Sequence, residues 1–187
     1  PVSVTGFFIA YFQLLEHPLL YVTVVPLNWL DGWDGFHPFA LIPYASLWVY
    51  VLLAPAMLRG RRELVVYCSE VAALSLLGLG TFLLWPTTIP APESIENKNA
   101  LVALLKNVDA AGNACPSLHV AFAVFTAIWL GRLLRDVNAP LAWRLFNAGW
   151  CAAIAYSTLA TKQHVAVDVF AGTTLGAAAA VFSPRET

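Results

Sequence analysis

The chain has 187 residues, enough for one unit of ordinary domain size. Of these, 59% are hydrophobic and 11% charged, with a mean hydropathy of +0.70, whereas a soluble domain is about 25% charged, so the chain cannot cover a water-facing surface. Ten basic against eleven acidic residues leave a formal charge of -1 and no basic face for nucleic acid, and three cysteines, an odd count, make no disulfide framework.

A helical membrane span needs roughly 20 apolar residues. In chain order the first apolar run, residues 2–25, carries Gln13, Glu16, His17 and Pro18 near its middle. It is read as a kinked span, with a re-entrant piece or an interfacial helix as alternatives. No basic residue precedes it, as one would in a secretory signal. Five better runs follow at 37–58, 64–85, 117–134, 141–159 and 164–182. They are continuous and rich in Leu and Ala, without the alternation of barrel strands. Seven Trp, eleven Phe and six Tyr suit aromatic belts at the two interfaces. The expected fold is all-α: a polytopic transmembrane bundle of about six spans forming a single integral-membrane domain over 1–187.

The basic residues separate by type. Arg59, Arg61, Arg62, Arg132, Arg135, Arg144 and Arg185 fall at the turn joining the runs at 37–58 and 64–85, at the turn joining those at 117–134 and 141–159 or the run ends flanking it, or after the last run. Alternating helices put these places on one side. Lys98, Lys106 and Lys162 fall on the other. The positive-inside rule makes the arginine side cytoplasmic. The loop 86–116 and the turn 160–163 then face outward, which predicts an integral protein of the plasma (inner) membrane with its site open to the outside, periplasm or lumen. Within that loop, Ser94, Leu101, Leu104, Leu105 and Val108 predict an amphipathic helix lying in the interface above the site.

The outward side also collects the reactive residues. Cys115-Pro116-Ser117-Leu118-His119 opens one predicted span and Thr161-Lys162-Gln163-His164 opens another, with Asp168 one turn further on. His164 and Asp168 are four apart on a helix and share a face. A carboxylate beside a histidine fixes its tautomer, and an aspartate inside the bilayer is costly without a partner. Each helix start offers free amides and a positive dipole end for an anion. With Lys162 and Asn113 nearby, the constellation fits a phosphate. Competing readings are a structural polar pair, a zinc site on His119, His164 and Asp168, and a Ser117 hydrolase. The last has no Gly-x-Ser-x-Gly elbow, and Ser117 is better placed as a helix cap.

Pro116-Ser117-Leu118-His119, followed 45 residues later by His164-x-x-x-Asp168 with Ser157 upstream, resembles the type-2 phosphatidic-acid phosphatase superfamily. The likeness covers about 86–176. It departs from the family pattern at Leu118, where the second motif has Gly, at Thr158, where the third has Arg, and in lacking a clear first motif. The wording around Leu118 and Thr161–His164 is similar to the branch of inositol-phosphorylceramide synthases. The resemblance implies a membrane enzyme that cleaves or transfers the phosphate or phospho-head group of a lipid. It implies His164 as nucleophile, Asp168 as its orienting partner and His119 as general acid and base, with no metal and no cofactor. Lys162 is the expected stand-in for the third-motif arginine. Lys98 and Lys106 are candidates for the first-motif cations, and Ser117 and Asn113 for further phosphate contacts. The expected partners are a lipid phosphate or phospholipid and the bilayer. The alternatives are a transporter with a polar relay and a non-catalytic membrane protein. The Gly172-x-x-x-Gly176 pair predicts close packing between helices of one chain.

Overall fold

The computed structural model describes residues 2–31, 37–90 and 113–181. Among them the chain forms six helices: α1 (Val2–Glu16), α2 (Leu41–Met57), α3 (Arg61–Leu84), α4 (Leu118–Asp136), α5 (Leu141–Ala160) and α6 (Ala166–Val181). A short 3-10 turn, Pro38–Ala40, leads into α2. Two brief strands, β1 (Thr23–Val24) and β2 (Thr87–Thr88), pair in parallel, with Thr23 opposite Thr87.

The segment from Pro38 to Met57, together with α3 and α4, is long and apolar enough to cross a membrane. Helix α5 is of similar length at 20 residues and carries Arg144, Asn147, Ser157 and Thr158. Helix α6 and the Thr5–Leu14 part of α1 are shorter apolar helices. The run 2–25 does not continue as one helix. Helix α1 has 15 residues and stops at Glu16, just before His17 and Pro18, where proline cannot extend the hydrogen-bond ladder. The chain then runs extended to pair with β2. Large apolar side chains such as Ile42, Leu52, Leu76 and Phe170 lie on the outside, the pattern of a surface meant for lipid.

Helix α4 is the central element and packs against α2, α5 and α6. Its closest neighbour is α6, because glycines remove the intervening side chains. A Cβ at Gly172 would collide with the backbone carbonyl of Ser117, and one at Gly176 with that of Ala121. The small-residue pair is therefore an intramolecular seam, as expected from the sequence. On the other flank, Gly78 of α3 makes room for the Leu118 side chain. Interhelical polar ties add direction: the Tyr50 hydroxyl donates to Asn147 Oδ1 at 2.6 Å and Trp129 Nε1 donates to Glu70 Oε2 at 2.7 Å. Helix α1 lies on this bundle through Phe7 against Phe122 and Tyr11 against Phe82.

Candidate active site

The starts of α4 and α6 meet at the end of the bundle opposite the arginine-bearing turns. Ser117 begins α4 as its cap, its Oγ accepting from the Val120 amide at 3.3 Å. The Ser117 amide in turn donates to the backbone carbonyl of Asp168 at 3.1 Å. That bond, with Gly172 pressed against Ser117, fixes the register of the two helix starts and so brings His119 beside His164.

His164 lies just before α6. The turn that carries it is closed by Thr158, whose backbone carbonyl accepts from the amides of both Gln163 and His164 at 3.1 Å. Its Nδ1 is 3.4 Å from Asp168 Oδ2, the helical i, i+4 pairing foreseen from the spacing. Asp168 is fully buried, and Oδ2 also accepts from the Val165 amide at 3.1 Å. Cys115 adjoins the same carboxylate; burial first, and then the charge of Asp168, push its thiol up to about 11. Residue 115 is joined to Pro116 by a cis peptide bond.

His119 is held differently. Its ring stacks on Tyr44 of α2, centroids 4.1 Å apart and planes 16° from parallel. It also hydrogen-bonds the Tyr44 backbone and lies within electrostatic range of His164. Its Nε2 is buried with no hydrogen-bond partner among the described residues. Asn113 Nδ2 is likewise buried without a partner among the described residues, whereas His164 Nδ1 has the Asp168 carboxylate at 3.4 Å and that carboxylate is also engaged by Val165 and Cys115. Buried polar groups are normally satisfied, and a structural network would satisfy its own members. Asn113 Nδ2 and His119 Nε2 are the two atoms at this end that a ligand could satisfy.

The predicted phosphate contacts divide. Asn113, buried with φ of 57°, and Ser117 are at this end, although Ser117 Oγ is engaged as a cap. Lys162, also in the left-handed region at 57°, sends its Nζ to the carbonyl of Asp31 at 3.2 Å. Lys98, Lys106 and the predicted helix over 94–108 lie outside the described residues. Thr158, at the position of the missing arginine, is buried, and its hydroxyl donates to the Ala155 carbonyl at 2.8 Å; it serves the turn and brings no charge. The start of α6 is not an open anion site either. Its leading amides at Val165 and Ala166 already bond the carboxylates of Asp168 and Asp31. Among the described residues no group of three His, Cys, Asp or Glu side chains is placed to hold a metal ion.

Two residues of this end escaped the sequence reading. Asp31 reaches across from the N-terminal third, its Oδ1 accepting from the Ala166 amide at 2.7 Å. A signal existed, since it is an acidic residue on the lysine side between two apolar runs. Tyr44, which sets the His119 ring, gave none, because nothing local distinguishes it from other lipid-run aromatics.

No curated protein and no solved structure matches the chain. The sequence pattern of the PAP2 superfamily matches residues 63–185, a stretch that holds α4, α5, α6 and the facing histidines. With two thirds of its length in that match and an apolar helical fold around it, the chain belongs to the PAP2 superfamily.

Proposed function

We propose that this protein is a membrane-embedded lipid phosphatase or phosphotransferase working through a phosphohistidine, without a metal. Superfamily membership supports phosphatase- or phosphotransferase-type activity in general. The observation that carries the finer reading is the buried His119 Nε2, left without a partner among the described residues and within electrostatic range of His164, which Asp168 flanks at 3.4 Å. Orientation follows the arginine asymmetry: the arginine turns face the cytoplasm and the histidines face outward, in a bundle whose six helices act as six spans.

Asp168 draws the His164 Nδ1 proton, which leaves the Nε2 lone pair free to attack phosphorus. The phosphorus–oxygen bond of the ester breaks as the nitrogen–phosphorus bond forms. His119 Nε2 donates its proton to the departing alkoxide, and the lipid alcohol leaves. In the second half His119 Nε2 takes a proton from water or from an acceptor alcohol. The resulting nucleophile displaces His164 and releases inorganic phosphate or a new phosphoester. Tyr44 holds the His119 ring in the pose both halves need. Asn113 Nδ2 and Lys162 stabilise the equatorial oxygens, with Lys98 and Lys106 as further cations from the loop.

The second half distinguishes a hydrolase from a transferase. Thr158 in place of arginine and an α6 start filled by Asp31 and Asp168 make the cradle less cationic. A phosphodiester carries one negative charge and a monoester up to two, so a weaker cradle favours the diester, as does the likeness to the inositol-phosphorylceramide synthase branch. The test is to incubate the protein with a monoester lipid and, separately, with a diester lipid plus a polyol. Phosphate release from the monoester alone establishes the hydrolase; a head-group-exchanged lipid that depends on Lys162 establishes the transferase. Neither product from either mixture overturns the proposal.

A further inference from the structure

At the arginine end, a cavity of about 380 Å³ opens between α4 and α5. Its rim carries Arg135 and Arg144, and its walls are Val124, Ala127, Ile128 and Gly131. The lining from residue 124 to residue 135 runs roughly 16 Å along α4, at about 1.5 Å per residue. The cavity is therefore basic at the depth where α4 ends and apolar one to three turns inside. Arg144 is fixed in place by its Nε and Nη2, which both donate to the Ala139 carbonyl, at 3.2 and 3.1 Å. Arg135 lies over Gly131: a Cβ there would find its Nη1 at 3.9 Å and Asn147 Nδ2 at 3.6 Å. Asn147 also lines the cavity, with its Nδ2 donating to the Ala127 carbonyl and its Oδ1 accepting from the Tyr50 hydroxyl. Asp136, the acidic residue of this turn, is exposed and does not line the cavity. Trp143 and Phe146 stand exposed beside it on α5.

We infer that this cavity binds an anionic phospholipid of the leaflet at the arginine end, its phosphate between Arg135 and Arg144 and an acyl chain along Val124, Ala127 and Ile128. The polarity gradient selects the ligand. A free anion would use the rim and leave the apolar slot empty; a neutral lipid would fill the slot and leave two guanidinium groups without a counter-charge. A phosphodiester head group on a hydrocarbon chain matches both, and basic pockets between transmembrane helices hold such head groups. The size fits a head group and the first part of a chain. Gly131 is the device that keeps the slot open. The inference stands apart from the chemistry at the other end of the bundle, and its readout is binding.

The test is native mass spectrometry of the purified full chain titrated with dioleoylphosphatidylglycerol or dioleoylphosphatidylcholine. The unmodified protein should retain the anionic lipid in preference to the zwitterionic one. Arg135→Gln should weaken that retention about tenfold, the usual worth of one charge-assisted hydrogen bond. Gly131→Leu, which fills the slot and keeps both charges, should weaken it as well. The arms are repeated in a His164→Ala background, where the falls caused by Arg135→Gln and by Gly131→Leu should persist. Unchanged retention in both Arg135→Gln and Gly131→Leu would overturn the inference. So would displacement by millimolar inorganic phosphate, which would make this a free-anion site. Falls that disappear in the His164→Ala background would trace the lipid to the candidate active site instead.

Discussion

The two ends of the bundle are closed by different means. At the arginine end the closures are local. The amide of Asn138 donates to the Arg135 carbonyl, that of Ala139 to Leu134, and Arg144 reaches back five residues to Ala139. At the histidine end the closures join segments far apart in the chain. The His37 amide bonds the Ala160 carbonyl, Cys115 is tied to Thr87, Ser117 to Asp168, and Ala166 to Asp31. A local turn needs no distant partner and serves to connect helices. A long-range mesh costs more chain entropy to assemble, and here it fixes two histidines on separate helices against one another while leaving His119 Nε2 and Asn113 Nδ2 without a partner among the described residues. The proposed mechanism uses the long-range end, and connection, with the inferred lipid cavity, belongs to the other.

The sharpest way to break the comparison is to remove the histidines. His164→Ala should reduce turnover of a lipid phosphate to background. His119→Ala should slow it by roughly 10²–10⁴, the range for a general acid or base, with slow labelling still visible from a substrate bearing an activated leaving group. Steady-state rates with both variants check this; normal turnover in His164→Ala would remove it from the mechanism.

The seam between α4 and α6 comes next. Gly172→Ala places a methyl group against the Ser117 carbonyl, so it should cost about 1–3 kcal/mol of stability by overpacking and also lower activity by shifting one helix start against the other. Gly149→Ala on α5 meets nothing within 4 Å and should gain a few tenths to about 1 kcal/mol through helix propensity. Denaturation of the two variants in the same detergent makes the comparison. Equal effects would mean that the seam does not position the site.

Asp31 tests whether the N-terminal third belongs to the histidine end. Asp31→Ala removes the acceptor for the Ala166 amide and should destabilise by about 1 kcal/mol, as loss of a helix cap does. Asp31→Asn keeps an acceptor oxygen and should restore most of the loss. If Asp31→Ala is neutral in melting and in KM for the lipid phosphate, the mesh does not extend to residue 31.

The smallest effect concerns the thiols. Cys115 is buried, and its thiol, pushed up to about 11, stays protonated at pH 8; only the thiolate reacts. Cys68 is exposed. Alkylation at pH 8 should modify Cys68 well before Cys115, and the Cys115 rate should keep rising as the pH climbs toward its raised value. Preferential labelling of Cys115 at neutral pH would contradict the packing of that carboxylate environment.

The contrast between the ends also explains what could be read from residue order. Five of the helices follow long apolar runs, and α1 ends at the Glu16-His17-Pro18 stop, although the apolar run itself continues to residue 25. The His164–Asp168 pair is an i, i+4 relation, and Ser117 as a cap is a local property, so both are visible in the sequence. Gly172 and Gly176 announce a thin face. What stays hidden is long-range: that Tyr44 lies under His119, that Asp31 caps α6 from 135 positions away, and that Lys162 turns toward Asp31. No periodicity encodes which distant segment fills a given helix start. The helix start at α6 looked open to an anion because its occupants come partly from another third of the chain.

The central claim is that His164 forms a covalent bond to phosphorus. The most direct measurement is rapid quenching of the protein with a lipid phosphate labelled at phosphorus, followed by peptide mapping. The mechanism predicts a phosphoramidate on His164, stable in alkali and labile in acid, absent from His164→Ala and long-lived in His119→Ala once formed. Label on Ser117, or turnover of the lipid with no phosphorus bound to the protein at any quench time, would contradict it.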